Sequence, residues 1–145
     1  MKLADILGYR LDMARHAAMR SVHRQLADCA LKPADTTALL LVRDQPGCDQ
    51  ATLGRALSGN RSVGMKVASR LEAMQLIVRG PGSDRRKKGL HITTEGKRVL
   101  DDAIQRHEKA EAVIARHLHG GERDLLLRLL LKIERAVRED EADSS

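Results

Sequence analysis

A mainly α-helical fold carrying one small β-hairpin is what the sequence predicts, and three observations predict it. Apolar residues recur at threes and fours through most of the chain, which is the helical period. One short stretch, residues 76–93, pairs two β-prone runs around a Gly/Pro-rich centre. The composition, 42% hydrophobic and 32% charged in 145 residues, suits a single helix-rich domain whose core is large enough to fold without staples.

The first element is a long amphipathic helix from Leu3 to about Ala30, built on the stripe Leu7, Leu11, Ala14, Ala18, Val22 and Leu26. Pro33 restarts the chain in a first helical turn, and the helix continues through Ala38 to Val42 until Pro46-Gly47 ends it. Asp49 caps the next helix, Gln50 to about Leu57, with Leu53, Ala56 and Leu57 turned inward. Ser58-Gly59-Asn60 is turn chemistry, and Asn60 also caps the helix from Arg61 to about Met74. On that helix Val63, Val67, Leu71 and Met74 fall within roughly 80° of one another at about 100° per residue, which makes them its expected buried face. Arg61, Ser62, Met65 and Ser69 lie opposite, with Lys66 on the flank.

Leu76-Ile77-Val78 and Leu90-His91-Ile92-Thr93 are the two hairpin strands. Gly80-Pro81-Gly82-Ser83-Asp84 forms the tip, and Arg85-Arg86-Lys87-Lys88 makes a cationic shoulder. Thr94 is placed to cap a second long helix, Val99 to about Leu118, which Gly120-Gly121 breaks. The final helix, Glu122 to about Val137, carries Leu125, Leu126, Leu127, Leu129, Leu130, Leu131 and Ile133 around most of its circumference. Burial on two sides, as in a subunit interface, is expected of it. Residues 139–145 read as a frayed acidic tail.

The net charge of +6 is not evenly spread. Residues 58–98 carry ten Lys/Arg against three Asp/Glu, a balance of +7, while residues 1–57 carry +2 and residues 99–145 carry −3. A polyanionic partner is therefore expected to meet the middle of the chain. Tyr9 is the sole aromatic residue, which argues against single-strand binding by base stacking. Cys29 and Cys48 lack CxxC spacing, so a reducing cytosol is the expected compartment, with Cys29 a packed thiol and Cys48 an exposed one in its turn. There is no secretory signal at the N-terminus and no run near the roughly 18 apolar residues of a membrane span, so a cytoplasmic protein is expected. His107 and Glu111 stand four apart, His117 and His119 flank a helix end, and His16 and His23 lie on the first helix, without the convergent spacing of a metal site. No phosphate loop, nucleophile elbow or metal-ligand motif appears, so neither an enzyme nor a bound cofactor is expected.

Three short helices followed by a hairpin is the order of a winged helix-turn-helix. The second helix of that motif lays its N-terminal residues against base edges in the major groove, and a basic hairpin reaches the neighbouring backbone or minor groove. The groove-facing candidates are Arg61, Ser62, Met65, Lys66 and Ser69. Arginine bonds guanine at O6 and N7, serine bonds several edges, and methionine touches a thymine methyl. Arg85, Arg86, Lys87 and Lys88 supply phosphate neutralisation. Two other readings fit the same charge: a low-specificity architectural DNA protein, and a protein-interaction module whose basic face meets an acidic partner.

The stretch Leu31 to Gly96 resembles the DNA-binding region of the MarR family of bacterial transcription regulators. The matching pieces are Leu31-x-Pro33, Arg61-Ser62, Arg70-Leu71-Glu72, Asp84-Arg85-Arg86 and Leu90-x-Ile92-Thr93-x-x-Gly96. The resemblance implies one domain over residues 1–145, with residues 31–98 as the DNA-binding part and residues 1–30 and 99–138 as dimerisation helices. It further implies a homodimer on a pseudo-palindromic duplex operator, repressing a nearby promoter until a small-molecule effector intervenes. By the same resemblance Asp84 braces the wing and Arg86 enters the minor groove. An effector pocket between the first, second and fifth helices would draw on Met13, Arg20, Arg43 and His107. The sequence departs from the family pattern at Gly64, where a branched apolar residue is usual, at Met65 and Lys66, where Thr and Arg are usual, and at Thr36, where an aromatic is common. A glycine at position 64 loosens its helix or admits another helix closely.

Overall fold

The computed structural model describes residues 1–57, 59–84 and 86–144. A 3-10 turn, Leu3–Asp5, precedes α1 (Leu7–Gln25), α2 (Pro33–Asp44), α3 (Gln50–Ala56) and α4 (Arg61–Ala73). The hairpin β1 (Ile77–Pro81) and β2 (Lys88–Ile92) follows, then α5 (Thr94–Ile114) and α6 (Glu122–Asp143). This is the expected mainly α, winged helix-turn-helix order. The chain divides into two compact units, residues 1–111 and 112–145.

In the first unit Leu31, Leu39, Leu53, Leu71, Ile77, Leu90 and Leu100 form the centre of the core, all nearly inaccessible to water. The single helix expected over Leu3 to Ala30 is broken at both ends. Ile6 is extended and separates the 3-10 turn from α1, and α1 stops at Gln25. Pro33 forces Lys32 into extended backbone, so the chain must leave the helix beforehand to bring Leu31 into the core. Of the expected stripe only Val22 and Leu26 are buried. In α2 the carboxylate of Asp35 caps the Pro-led first turn, its Oδ2 accepting from Lys32 N at 2.9 Å.

Asp49 and Asn60 cap α3 and α4 as expected: Asp49 Oδ1 accepts from Thr52 N at 2.8 Å, and Asn60 Oδ1 from Val63 N at 3.2 Å. Ser58 of the intervening turn lies outside the described residues. Within the stripe of α3 Leu53 is buried and Leu57 half-buried, but Ala56 is exposed. Helix α4 ends with Gln75 in the left-handed region, φ 59°. Gln75 N donates to Glu72 O and Leu76 N to Leu71 O, each at 2.9 Å, while Leu76 and Leu71 close the end apolarly in the core.

The strands pair antiparallel from Ile77 against Ile92 to Pro81 against Lys88. Their outer edge is covered by the segment after α2. Gly47 N donates to Leu90 O at 2.8 Å, and Leu90 N to Cys48 O at 2.9 Å. This pairing corrects the expectation for Cys48, which is buried rather than exposed, and burial pushes its thiol pKa up. A disulfide-exchange reagent at neutral pH is accordingly expected to titrate one thiol per native chain promptly, the half-buried Cys29, and Cys48 only on unfolding. Two fast thiols would contradict this placement.

The cap of α5 is Thr93, not Thr94. Thr93 Oγ1 accepts from Gly96 N at 2.9 Å and donates to Gln75 O at 2.8 Å, so the helix begins five residues before the expected Val99 and ends at Ile114.

In the second unit Gly120 and Gly121 stand at φ +56° and +87° and break the chain before α6. That helix runs past the expected Val137 to Asp143, so most of the acidic tail is helical. Glu, Arg and Ala are good helix formers, and Arg138 pairs with Glu134 one turn back at 3.7 Å. Leu125, Leu126, Leu127, Leu129 and Leu131 are all exposed by more than two fifths. Among the described residues no helix is long and apolar enough to cross a membrane.

Candidate nucleic-acid interface

The buried face of α4 differs from the one read in the sequence. Gly64, Val67, Ala68 and Leu71 are buried, while Val63 and Met74 are 38% and 37% exposed. At about 100° per residue the centre of the buried face is displaced by about 55° from the predicted one. The cause is close helix packing. A Cβ on Gly64 would overlap the carbonyl oxygen of Gln50 and stand 2.7 Å from Gly54 N, so α4 lies against α3 along its smallest residues. Arg61, Ser62, Met65, Lys66 and Ser69 are all exposed, as expected. The displacement turns Lys66, Ser62 and Ser69 to the centre of the outward face and moves Arg61 to the flank beside α3.

The wing is held by its own turn. Gly82 N donates to Lys87 O and Lys87 N to Asp84 O, both at 2.9 Å, and Asp84 Oδ1 accepts from Arg86 N at 3.0 Å. The Asp84 side chain thus orders the backbone at Arg86. Ser83 N donates to Gly47 O at 3.0 Å, and the His91 ring bonds Pro81 O through Nε2 at 2.8 Å. Arg86, Lys87 and Lys88 are exposed, and Arg85 lies outside the described residues.

Between the start of α3, the start of α4 and the wing is a cleft of about 400 Å³, lined by Asp49, Gln50, Arg61, Arg79, Lys87 and Lys88. Gln50 and Arg79 were not singled out from the sequence, although Arg79 stands inside the basic block. Its guanidinium bridges two elements: Nε donates to Glu72 of α4 at 3.1 and 3.2 Å, and, with the Gln50 amide of α3 turned so that its oxygen faces these donors, Nη1 and Nη2 donate to it at 2.9 Å each. Asp49 is held below the usual carboxylate range, first by the Thr52 backbone N–H and then by the Thr52 hydroxyl, with Lys87 and Arg55 adding to this.

A second cavity, about 380 Å³, lies among α1, the first turn of α2, the end of α3 and α5. Met19, Val22, Pro33, Ala34, Ala56 and Leu57 give it apolar walls, and Arg15, Thr37 and His107 give it polar groups. The buried Nδ1 of His107 has no hydrogen-bond partner among the described residues. Of the four residues expected in a pocket, His107 alone lines this one. Met13 and Arg20 sit about 150° around α1 from Arg15, Met19 and Val22 at about 100° per residue. Arg43 belongs to the last turn of α2, roughly 14 Å from the first at 1.5 Å per residue. Between this cavity and α4 runs an ion pair buried on its Asp35 side, in which Asp35 Oδ1 accepts from Arg70 Nε at 3.0 Å and also from Arg70 Nη2. No three His, Cys, Asp or Glu converge as metal ligands among the described residues.

No protein-family model matches the sequence. A Thauera aromatica protein named as a transcriptional regulatory protein for the hcr operon is 30% identical over 143 residues, covering 97% of this chain and 86% of that one. The transcriptional repressor CouR bound to a 23-mer DNA duplex matches with a TM-score of 0.81 and 29% identity, over 92% of this chain and 98% of CouR. CouR bound to p-coumaroyl-CoA matches at 0.79 and 28%, over 92% and 94%. A MarR-family transcriptional regulator from Rhodococcus sp. RHA1 shares the fold at 0.83 and 24% identity, over 92% and 95%.

Proposed function

This chain belongs to the MarR family of DNA-binding transcriptional regulators, and on that premise we propose that it is a homodimeric repressor of a nearby promoter. In this reading it binds a pseudo-palindromic duplex operator and leaves it when a small molecule enters the cavity beside His107. The observation that carries the reading is the gathering of the charge excess on one helix and one hairpin: residues 61–92 carry eight Lys/Arg against two Asp/Glu, +6 of the +7 in residues 58–98. There α4 turns Ser62, Met65, Lys66 and Ser69 to solvent, and the wing offers Arg86, Lys87 and Lys88. The dimer is supported by unpartnered apolar surface on the two terminal segments. Leu3, Leu7 and Met13 are exposed at one end of the chain, and five leucines of α6 at the other. The effector is supported by the apolar cavity and its unpaired imidazole nitrogen, and by the ligand-bound relative.

Electrophoretic titration at several salt concentrations tests the reading. Lys66→Ala is expected to relax preference at one base pair per half-site, by roughly 1–3 kcal/mol. Arg86→Ala is expected to weaken selected and unrelated duplexes alike and to reduce the salt slope by about 1. Indistinguishable behaviour of the two variants rejects this division of labour. Random-duplex selection that enriches no palindrome favours an architectural role, and no duplex binding by the folded dimer at low salt favours a protein partner.

A further inference from the structure

We infer that Arg61 seats a backbone phosphate in the cleft between α3, α4 and the wing, leaving base reading to Lys66, Ser62 and Ser69. The inference rests on the proposed docking of α4 in the major groove, and three observations carry it. The first is the phase of α4. With Gly64, Val67, Ala68 and Leu71 buried, Arg61 lies about 110° from the centre of the outward face at about 100° per residue. It stands on the side that touches α3, not on the side that faces a groove floor.

The second is the company Arg61 keeps. The cleft it lines also holds Arg79, Lys87 and Lys88, but none of the other four groove-facing candidates. Four cations line the cleft with one carboxylate; Arg79 is also paired with Glu72 of α4 at 3.1 Å, and Asp49 is already engaged: its Oδ1 takes both the backbone N–H and the hydroxyl of Thr52, and its Oδ2 faces Lys87 at 3.9 Å. Cations gathered in a concave site concentrate the field, and a phosphodiester brings a full negative charge where a guanine edge brings only dipoles.

The third is that the walls are fixed. Gly64 lets α4 touch the Gln50 carbonyl, and Gly89 lies so close to the segment before α3 that a Cβ on it would stand 2.5 Å from Gly47 Cα. Arg79 ties Glu72 of α4 to Gln50 of α3. With three of its five N–H groups committed, its charge stays in place on the cleft wall. A seat between recognition helix and wing is where the phosphate strand bordering the groove must cross, so the position agrees with the chemistry.

The test compares wild type, Arg61→Ala and Arg61→Lys on a duplex selected from random sequence and on an unrelated duplex, from 50 to 200 mM KCl. Arg61 is exposed, so both variants are expected to fold. Arg61→Ala is expected to weaken both duplexes by the same factor, a loss that shrinks about 3.5-fold across that salt range as the slope falls by about 0.9. Arg61→Lys keeps the charge without the planar fork and is expected to restore the salt slope and the affinity for both duplexes, with sequence preference the same in all three proteins. A loss confined to the selected duplex, assigned to one base pair and not restored by lysine, overturns the inference and returns Arg61 to guanine with the groove reading intact. Failure of wild type to bind either duplex at 50 mM rejects the groove reading, and the inference with it.

Discussion

Arg70→Ala is expected to lower the free energy of unfolding by about 3–5 kcal/mol, more than removal of its partner. The asymmetry follows from burial. The Asp35 side chain is 2% exposed and that of Arg70 38%. Without Arg70, Asp35 still caps Lys32 through Oδ2, but the buried Oδ1 loses both of its donors. Without Asp35, the guanidinium can turn to solvent. The loss in Asp35→Ala is then the cap, about 1 kcal/mol, together with a charge-assisted bond of about 1.5 kcal/mol. The double variant should cost less than the sum of the two, because the second truncation removes a group already stranded by the first. Urea midpoints of the three variants check this order, and a larger loss for Asp35→Ala than for Arg70→Ala would falsify it. The pair also joins the turn that lines the second cavity to α4. Asp35 belongs to the turn of α2 whose Pro33, Ala34 and Thr37 line the cavity, and Arg70 belongs to α4.

Much of this architecture is written in local sequence, because its signals are local. Asp49 and Asn60 cap the helices they precede, the Gly/Pro-rich run turns the hairpin, and the Gly pair breaks the chain before α6. What the pattern misplaced depends on contacts between elements distant in sequence. Counting apolar residues made Val63 and Met74 core, yet α4 buries Gly64 and Ala68 instead, because two helices in close contact need small residues at the crossing, not large ones. The spacing of Gly54 and Gly64 on consecutive helices is the signal that carried this, and a hydrophobicity pattern is blind to it. Cys48 looked like a turn residue because its pairing partner, Leu90, is 42 positions away. Arg79 and Asp35 gain their roles from Glu72, Gln50 and Arg70, and no periodicity links them. The wing and the outward residues of α4 were legible because basic and exposed residues need no partner to be recognised. The cavity wall was not, because it depends on the rotational phase of α1, and that phase is set by Val22 and Leu26 near its end, not by the apolar stripe as a whole.

The close approach of α3 and α4 gives the sharpest test, since two glycine substitutions are expected to move stability in opposite directions. Helix propensity alone favours alanine over glycine in a helix by about 1 kcal/mol. Gly8, in the first turn of α1, has open space where a Cβ would stand, with no neighbour within 4 Å, so Gly8→Ala is expected to be neutral or stabilising by at most about 1 kcal/mol. Gly64→Ala gains the same propensity but drives its methyl into the Gln50 carbonyl and toward Gly54 N at 2.7 Å. Those neighbours are helix backbone, which cannot rotate aside as a side chain would. The helices must separate, and overpacking of this kind is expected to leave a net loss of about 2 kcal/mol. Gly64→Val should lose more, because its branches add bulk where the first methyl already has no room. Separation of α3 from α4 also pulls Arg61 away from Gln50 and the wing lysines, so duplex affinity at low salt should fall even where the variant is fully folded. Paired urea titrations and gel shifts on Gly8→Ala and Gly64→Ala measure both effects. A neutral or stabilising Gly64→Ala would mean that the two helices do not meet there, and the displaced face of α4, with Arg61 on its flank, would have to be abandoned.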